Sequence, residues 1–598
     1  MKGPALALVA LAASTTACGG GAARSGDRDG GGTPADAETA PAGPGDAADA
    51  ADATPKPPPV ASPASRLVVP GDATLVGHGA DSCTNEAGAT GDRWCAFARP
   101  DGQVFELWVL DVTKAAAGAP IVCDGSDASC LRLSERLFKS RAAGFSDAGF
   151  NGDTLIYGET TDAGESVTPF LGALWGWRPG MAGGQPLTSD LGIACVGQAR
   201  SDAALCFENR TGDGVVTDLT VDLLAGRLSS AGASGLPRMD TLLLTATTDA
   251  PGAPPRYGFA LSPTGAYVAW STRSTADPAE TLHARPLDGQ GEAVTVAHDV
   301  SQWAISPDGT AWTWLAGYNY DVTGAPAGTL QAAGFPAGDG VTTLASAVGD
   351  FGAVGGAGLW LRTNVAAQVG ALGFLADRRA PLDVAAVDTK VLAVLDVEPD
   401  GSRFLYAKSF VPLRPAPQAT TTITPQLVDL YVGAPGAAAP CVASPTPEAL
   451  NAALAPRGDV VLWARYDMST GASQGLATNV SSCATTPFAT GLAGLLPAPL
   501  GDAEGYLFLD DADPAADEAT LRYARIVNGA VVVAEPPLQT RAAPVFAPLA
   551  PALAAVAYTV AAGTSADGLY VAALPALDAG AALDAGGAGD APPDGGAE

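Results

Sequence analysis

Ser262-Pro263-Thr264-Gly265, running into Ala266-Tyr267-Val268-Ala269-Trp270, is the stretch on which the fold turns. A proline and a glycine with one residue between them set a tight turn. The apolar, aromatic-rich run after it reads as a strand. The phrase returns as Ser306-Pro307-Asp308-Gly309, as Glu398-Pro399-Asp400-Gly401 and as Ala455-Pro456-Arg457-Gly458. A turn and one strand cannot bury their own apolar faces, so the copies must stack against one another.

The marked prolines stand at 263, 307, 399 and 456, in steps of 44, 92 and 57 residues. The middle step is twice 46, so a degenerate copy is expected near 353, where Gly355-Gly356-Ala357-Gly358-Leu359-Trp360-Leu361 fits. Weaker copies are Pro499-Leu500-Gly501 before Tyr506-Leu507-Phe508-Leu509, and Leu549-Ala550-Pro551 before Val556-Ala557-Tyr558. Upstream the same strand reads Arg93-Trp94-Cys95-Ala96-Phe97-Ala98, Thr154-Leu155-Ile156-Tyr157 and Ala204-Leu205-Cys206-Phe207. Together these make ten candidate units between 67 and 575. The spacing suits a four-stranded blade, so the expected class is all-β, a β-propeller of four-stranded blades. Single propellers usually have about four to eight blades. Ten units therefore leave open one unusually large ring, two rings, or some units that are not blades.

A second phrase recurs about one hairpin later. Glu106-Leu107-Trp108-Val109-Leu110-Asp111-Val112 has counterparts in Asp429-Leu430-Tyr431-Val432, Gly568-Leu569-Tyr570-Val571 and Thr281-Leu282-His283-Ala284. Its alternation of apolar residues with others is that of a half-buried strand. Turn residues separate it from the first strand each time, as in a meander.

The pattern apolar-Ser-Pro-Asp-Gly, two residues, then apolar-Ala-aromatic resembles the TolB-type propeller repeat. Ile305 to Trp314 and Leu261 to Trp270 carry it best, and Glu106 to Val112 resembles that family's following strand. Thr264, Glu398, Ala455 and Arg457 depart from the usual residues. The resemblance implies a propeller in a periplasmic or surface setting and brings no catalytic residue with it. TolB-like propellers can precede a peptidase domain. Here the repeats run almost to residue 598, so no such domain is expected.

Residues 1–17 have the layout of an export signal: Lys2, an apolar run from Ala5 to Ala13, then Ser14-Thr15-Thr16-Ala17. Cys18 and Gly19-Gly20-Gly21 follow. This resembles a bacterial lipoprotein signal, although Thr15 stands where Leu is usual. An ordinary cleaved secretory signal is the alternative. The lipoprotein resemblance implies lipid attachment at Cys18, with a membrane anchor and no transmembrane helix. Gly19 in place of Asp points to the outer membrane, on its periplasmic or cell-surface face.

Segments 19–65 and 576–598 are dominated by Ala, Gly, Pro and Asp and have no aromatic residue. They cannot bury enough apolar surface to offset their ordering entropy. The expected organisation is a signal over 1–17, a disordered linker over 18–66, repeats over 67–575 and a disordered tail over 576–598. As a coil the linker reaches about 40 Å, enough to hold a propeller off the lipid headgroups. The net charge of −31 would repel nucleic acid and anionic membrane surfaces.

There are nine Cys, and setting Cys18 aside leaves an even number, as an oxidising compartment favours. Proximity suggests Cys83 with Cys95 and Cys195 with Cys206 across hairpins, and Cys123 with Cys130 around a short loop. Cys441 and Cys483 lie 42 residues apart, near one period, so they are expected to link neighbouring blades. There is no C-x-x-C spacing and there are only three His, which weakens a metal reading. His78, His283 and His298 read as lying on different repeats, with no acidic or Cys partner at ligand spacing. One acidic loop, Asp510 to Glu518, could offer oxygens to Ca²⁺ from Asp511, Asp513, Asp517 and Glu518. It lacks the central Gly and late Glu of an EF-hand, and a solvated loop is the alternative. No other cofactor is expected. The ten Trp sit at strand positions and read as packing between blades, with a sugar-binding platform as the alternative.

The leading expectation is thus an exported, lipid-anchored propeller without catalytic residues. It would bind a protein or glycan, or act as a scaffold, at the cell envelope. The alternative is a propeller lyase or hydrolase acting on an extracellular polymer, with its residues converging on the central channel.

Overall fold

The computed structural model describes most of the chain between residues 65 and 575. Outside the described residues lie 1–64, 77–93, 138–147, 160–172, 246–257, 413–425 and 576–598, with some shorter stretches between strands. The described residues form ten antiparallel units of four strands in meander order. The strand after each recurring turn is the second of its unit: Tyr267–Arg273 in unit 4, Ala311–Asn319 in unit 5, Phe404–Ala407 in unit 7 and Val460–Tyr466 in unit 8. The second recurring phrase forms third strands, among them Val104–Asp111 in unit 1 and Gln426–Gly433 in unit 7.

The turn itself is built identically each time. Gly265 N–H donates to Ser262 O (2.8 Å) and Ser262 N–H to Tyr267 O (2.9 Å). The same pair of bonds closes 306–311, 398–403 and 455–460. Ser262 and Ser306 are fully buried. Each hydroxyl oxygen accepts two further backbone N–H groups, from Ala266 and Tyr267 or from Thr310 and Ala311, at 2.9–3.1 Å. Gly265 has φ +65°, in the left-handed region, and a Cβ there would run into the Ser201 side chain of unit 3. Each turn therefore leans on the next. Gln198 Nε2 donates to Ser262 O at 2.7 Å, and a Cβ on Gly458 would lie 3.0 Å from Glu398. The turns together make a collar on one face.

Several outermost strands run on into the innermost strand of the next unit. Val294–Ile305 pairs with Glu280–Pro286 over its first half and with Ala311–Asn319 over its second. Thr342–Val354 and Cys441–Leu454 do the same. A left-handed residue marks the crossing in the first two, Asp299 (φ 58°) and Ala347 (φ 54°).

Every seam between units is filled. Trp94 and Val109 of unit 1 meet Leu155 and Trp177 of unit 2. Leu187 meets Leu224 between units 2 and 3, and Phe207 meets Phe259 and Trp270 between units 3 and 4. Ala269 meets Trp312 and Trp314, Leu330 meets Leu361, and Val387 meets Phe404 and Tyr406. Leu430 meets Trp463, Leu462 meets Tyr506, and Leu521 meets Tyr558. The last seam joins the end of the chain to its start, with Leu569 and Val571 of unit 10 against Leu75 and Phe97 of unit 1. The strand Ser65–Pro70 completes unit 10 by pairing antiparallel with Gly568–Ala573, Arg66 opposite Val571. It begins just ahead of the boundary expected at 67. The seams thus close one circuit of ten blades, a β-propeller, which answers the choice between one ring and two. Among the described residues no helix is long and apolar enough to cross a membrane.

Candidate functional site

On the innermost strands of units 5 to 8 the exposed residues are Gln302, Leu395 and Asn451, all uncharged. The two carboxylates on these stretches are held within the sheet. Asp350 pairs with Arg362. Asp396 accepts from the N–H groups of Leu454 (2.9 Å) and Val397 (2.8 Å), and burial outweighs those bonds and raises its pKa. Beneath the collar the buried Arg378 is satisfied by main-chain carbonyls, Gly356, Ala357 and Gly358, and by Thr313 Oγ1 at 3.3 Å. It braces the unit 6 turn.

Disulfides join Cys123 to Cys130, Cys195 to Cys206 and Cys441 to Cys483. Cys195 and Cys206 stand directly opposite across a hairpin. Cys441, on the outermost strand of unit 7, reaches Cys483 at the end of a unit 8 hairpin, so this bridge ties neighbouring blades. Cys95 is disulfide-bonded as well, while Cys83 and Cys18 lie outside the described residues.

The acidic loop is partly described. Asp511 is exposed and lies 3.8 Å from Arg522, which also meets Asp510 and Glu535. Asp513 pairs in register with Glu518. Asp517 and the side chains of Asp513 and Glu518 lie outside the described residues. Among the described residues no group of three His, Cys, Asp or Glu gathers as a metal site.

Two histidines depart from the sequence reading. His283 and His298 belong to one unit, on adjacent strands, because Thr281 pairs with His298 across the hairpin. His283 Nε2 lies 2.9 Å from Thr272 Oγ1, and its ring stacks on Trp270 at 5.6 Å. Burial pushes its pKa down, Asp240 of unit 3 opposes this, and His298 adds to it. An acidic neighbour is thus present, supplied by the preceding unit at a distance in sequence that spacing does not reveal. His78 lies outside the described residues. Seven of the ten Trp are buried and three are half-buried, as packing residues are.

At the seam of units 7 and 8 the sheets leave a cavity of about 300 Å³, a size at the small end of ligand sites. It arises from an irregular strand. Between Ser444 opposite Leu430 and Ala449 opposite Val428, residues 445–448 face a single partner residue. Pro445 and Pro447 sit in this excess, where their missing N–H groups cost no ladder bonds. The bulge brings Glu448 to the cavity wall, and Ser444 Oγ donates to its Oε1 at 3.3 Å. Trp463 and Arg465 line the cavity from unit 8, with Gln474 and Leu476 on the next strand and Pro487 on the last. Trp463 Nε1 donates to Thr478 Oγ1 at 3.0 Å, and Arg465 donates to Gln474 Oε1. The Pro-x-Pro inside an apolar strand, Pro445-Thr446-Pro447, was the available sequence signal for this cavity.

No family model matches the chain, and no curated protein matches it. Among solved structures it is similar to one described as the eukaryotic initiation factor. That match has TM-score 0.41 and 10% identity over 73% of this chain and 94% of that one. It is also similar to the β-propeller domain of the Trilobed protease from Pyrococcus furiosus, with TM-score 0.29 and 9% identity over 57% of this chain and 94% of that one. A third is the acylaminoacyl peptidase of Pyrococcus horikoshii, with TM-score 0.27 and 10% identity over 56% of this chain and 50% of that one. The class of the present chain follows from its own sheets: a β-propeller closed by its N-terminal strand.

Proposed function

We propose that the protein is an exported, lipid-anchored propeller of TolB-like repeats. In this reading it serves as a binding or scaffold module for a protein or glycan at the cell envelope, with the outer membrane as its site. The observation that carries the reading is the set of disulfides on a chain opening with an export-like segment, since such bridges persist in oxidising compartments. The uncharged exposed residues on the innermost strands of units 5 to 8 support binding over catalysis in that part of the channel. The low-complexity linker would hold the propeller away from the lipid, and Cys18 would carry the anchor.

Metabolic labelling with a fatty acid analogue tests this. The wild type takes the label and fractionates with membranes, and Cys18→Ser releases the protein unlabelled. An unlabelled wild type would sink the anchoring.

A further inference from the structure

We propose that the cavity at the seam of units 7 and 8 binds short peptides with free termini, the ammonium at Glu448 and the carboxylate at Arg465. This names a ligand class for the binding module proposed above and rests on that reading. Glu448 and Arg465 line one cavity from neighbouring strands, and Ala449, beside Glu448, pairs directly with Arg465. No ion pair or hydrogen bond joins them. Glu448 receives one hydrogen bond at Oε1, from Ser444, which leaves its second oxygen to a ligand. Arg465 spends one donor on Gln474 and keeps the rest of its planar fork, the geometry that suits a carboxylate. The rest of the wall mixes apolar Leu476 and Pro487 with polar Gln474 and Thr485.

A ligand that satisfies this pair carries both a cation and an anion, as a short peptide with free ends does. A neutral sugar would leave both charges unmatched, and Trp463, only 2% exposed, offers it no face for stacking. A free phosphate would meet the Glu448 carboxylate. The Cys441–Cys483 bridge belongs to the same construction. Ala443 and Thr485, each two residues from one of those cysteines, also line the cavity. The bridge therefore staples the unit 7 wall to the unit 8 wall.

The test is calorimetric titration of the exported, oxidised protein with the dipeptide Leu-Leu and with its N-acetylated, C-amidated form. Free Leu-Leu is expected to bind at least about tenfold more tightly than the capped form, because a charge-assisted hydrogen bond is lost at each end. Glu448→Gln and Arg465→Gln are each expected to weaken it about tenfold, with circular dichroism and thermal midpoint unchanged. Arg465→Lys restores part of the loss, and reducing the bridge weakens binding. Equal binding of the capped form, unchanged affinity in both charge variants, or no binding of Leu-Leu to the oxidised wild type would overturn the inference. A protein that is labelled at Cys18 yet ignores Leu-Leu loses this site and keeps its anchor.

Discussion

Trp312 shows how one side chain serves two blades. It is fully buried at the seam of units 4 and 5. Its ring packs against Trp303 at 5.9 Å and Phe335 at 4.9 Å, and its Nε1 donates to Pro336 O at 3.1 Å. Trp312→Ala should therefore cost about 3–5 kcal/mol, measured by urea unfolding. Packing was legible at this position because Trp312 falls in the apolar strand of a well-kept repeat, where Val268 stands in the other copy. The buried hydroxyls of Ser262 and Ser306 were legible as turn residues, but not as acceptors of two extra backbone bonds. The serine is absent at Glu398 and Ala455, so the backbone pair of bonds is what the turn requires. His283 was misplaced because its neighbours come from another strand and another unit. Its depressed pKa means that the unfolded chain binds more protons in the window just below the ordinary value of about 6.5. Its contribution is thus complete above that value and is lost as pH falls below it. The urea midpoint should drop between pH 7.5 and pH 5.5, and drop less in His283→Gln. An equal drop in both proteins would contradict the assignment.

At the scale of strands and hairpins, the second and third strands were readable because each has a repeated phrase. The outermost strands were not. They carry no common phrase, and those of units 4, 5 and 7 run on into the next unit, so no turn residue marks their end. The cavity depends on such a strand, on the bulge that Pro445 and Pro447 impose, and on a wall from the next unit. The hairpin disulfide was legible because Cys195 and Cys206 flank a turn. Replacing both with Ser should cost roughly 2–3 kcal/mol, a value set mainly by the short loop it closes. Unreduced peptide mapping of the wild type should find this pair, with Cys123–Cys130 and Cys441–Cys483 beside it. A cross-link from 195 or 206 to any other cysteine would contradict the unit 3 register.

For the whole molecule, ten strand phrases could be counted along the chain, but ring number could not. Whether ten units make one circuit depends on contacts between the chain's ends, and Ser65–Pro70 carries no mark of its distant partner beyond a short apolar run. That strand supplies the outer edge of unit 10 and helps seal the seam where Val69 and Leu75 meet Leu569 and Val571. The circuit is the central claim, and amide hydrogen exchange across residues 65–69 of the intact exported protein tests it most directly. Closure predicts protection there comparable with that of Gly568–Ala573, because the two strands share hydrogen bonds and open together. Exchange at 65–69 as fast as in an unstructured chain, with Gly568–Ala573 still protected, would contradict it.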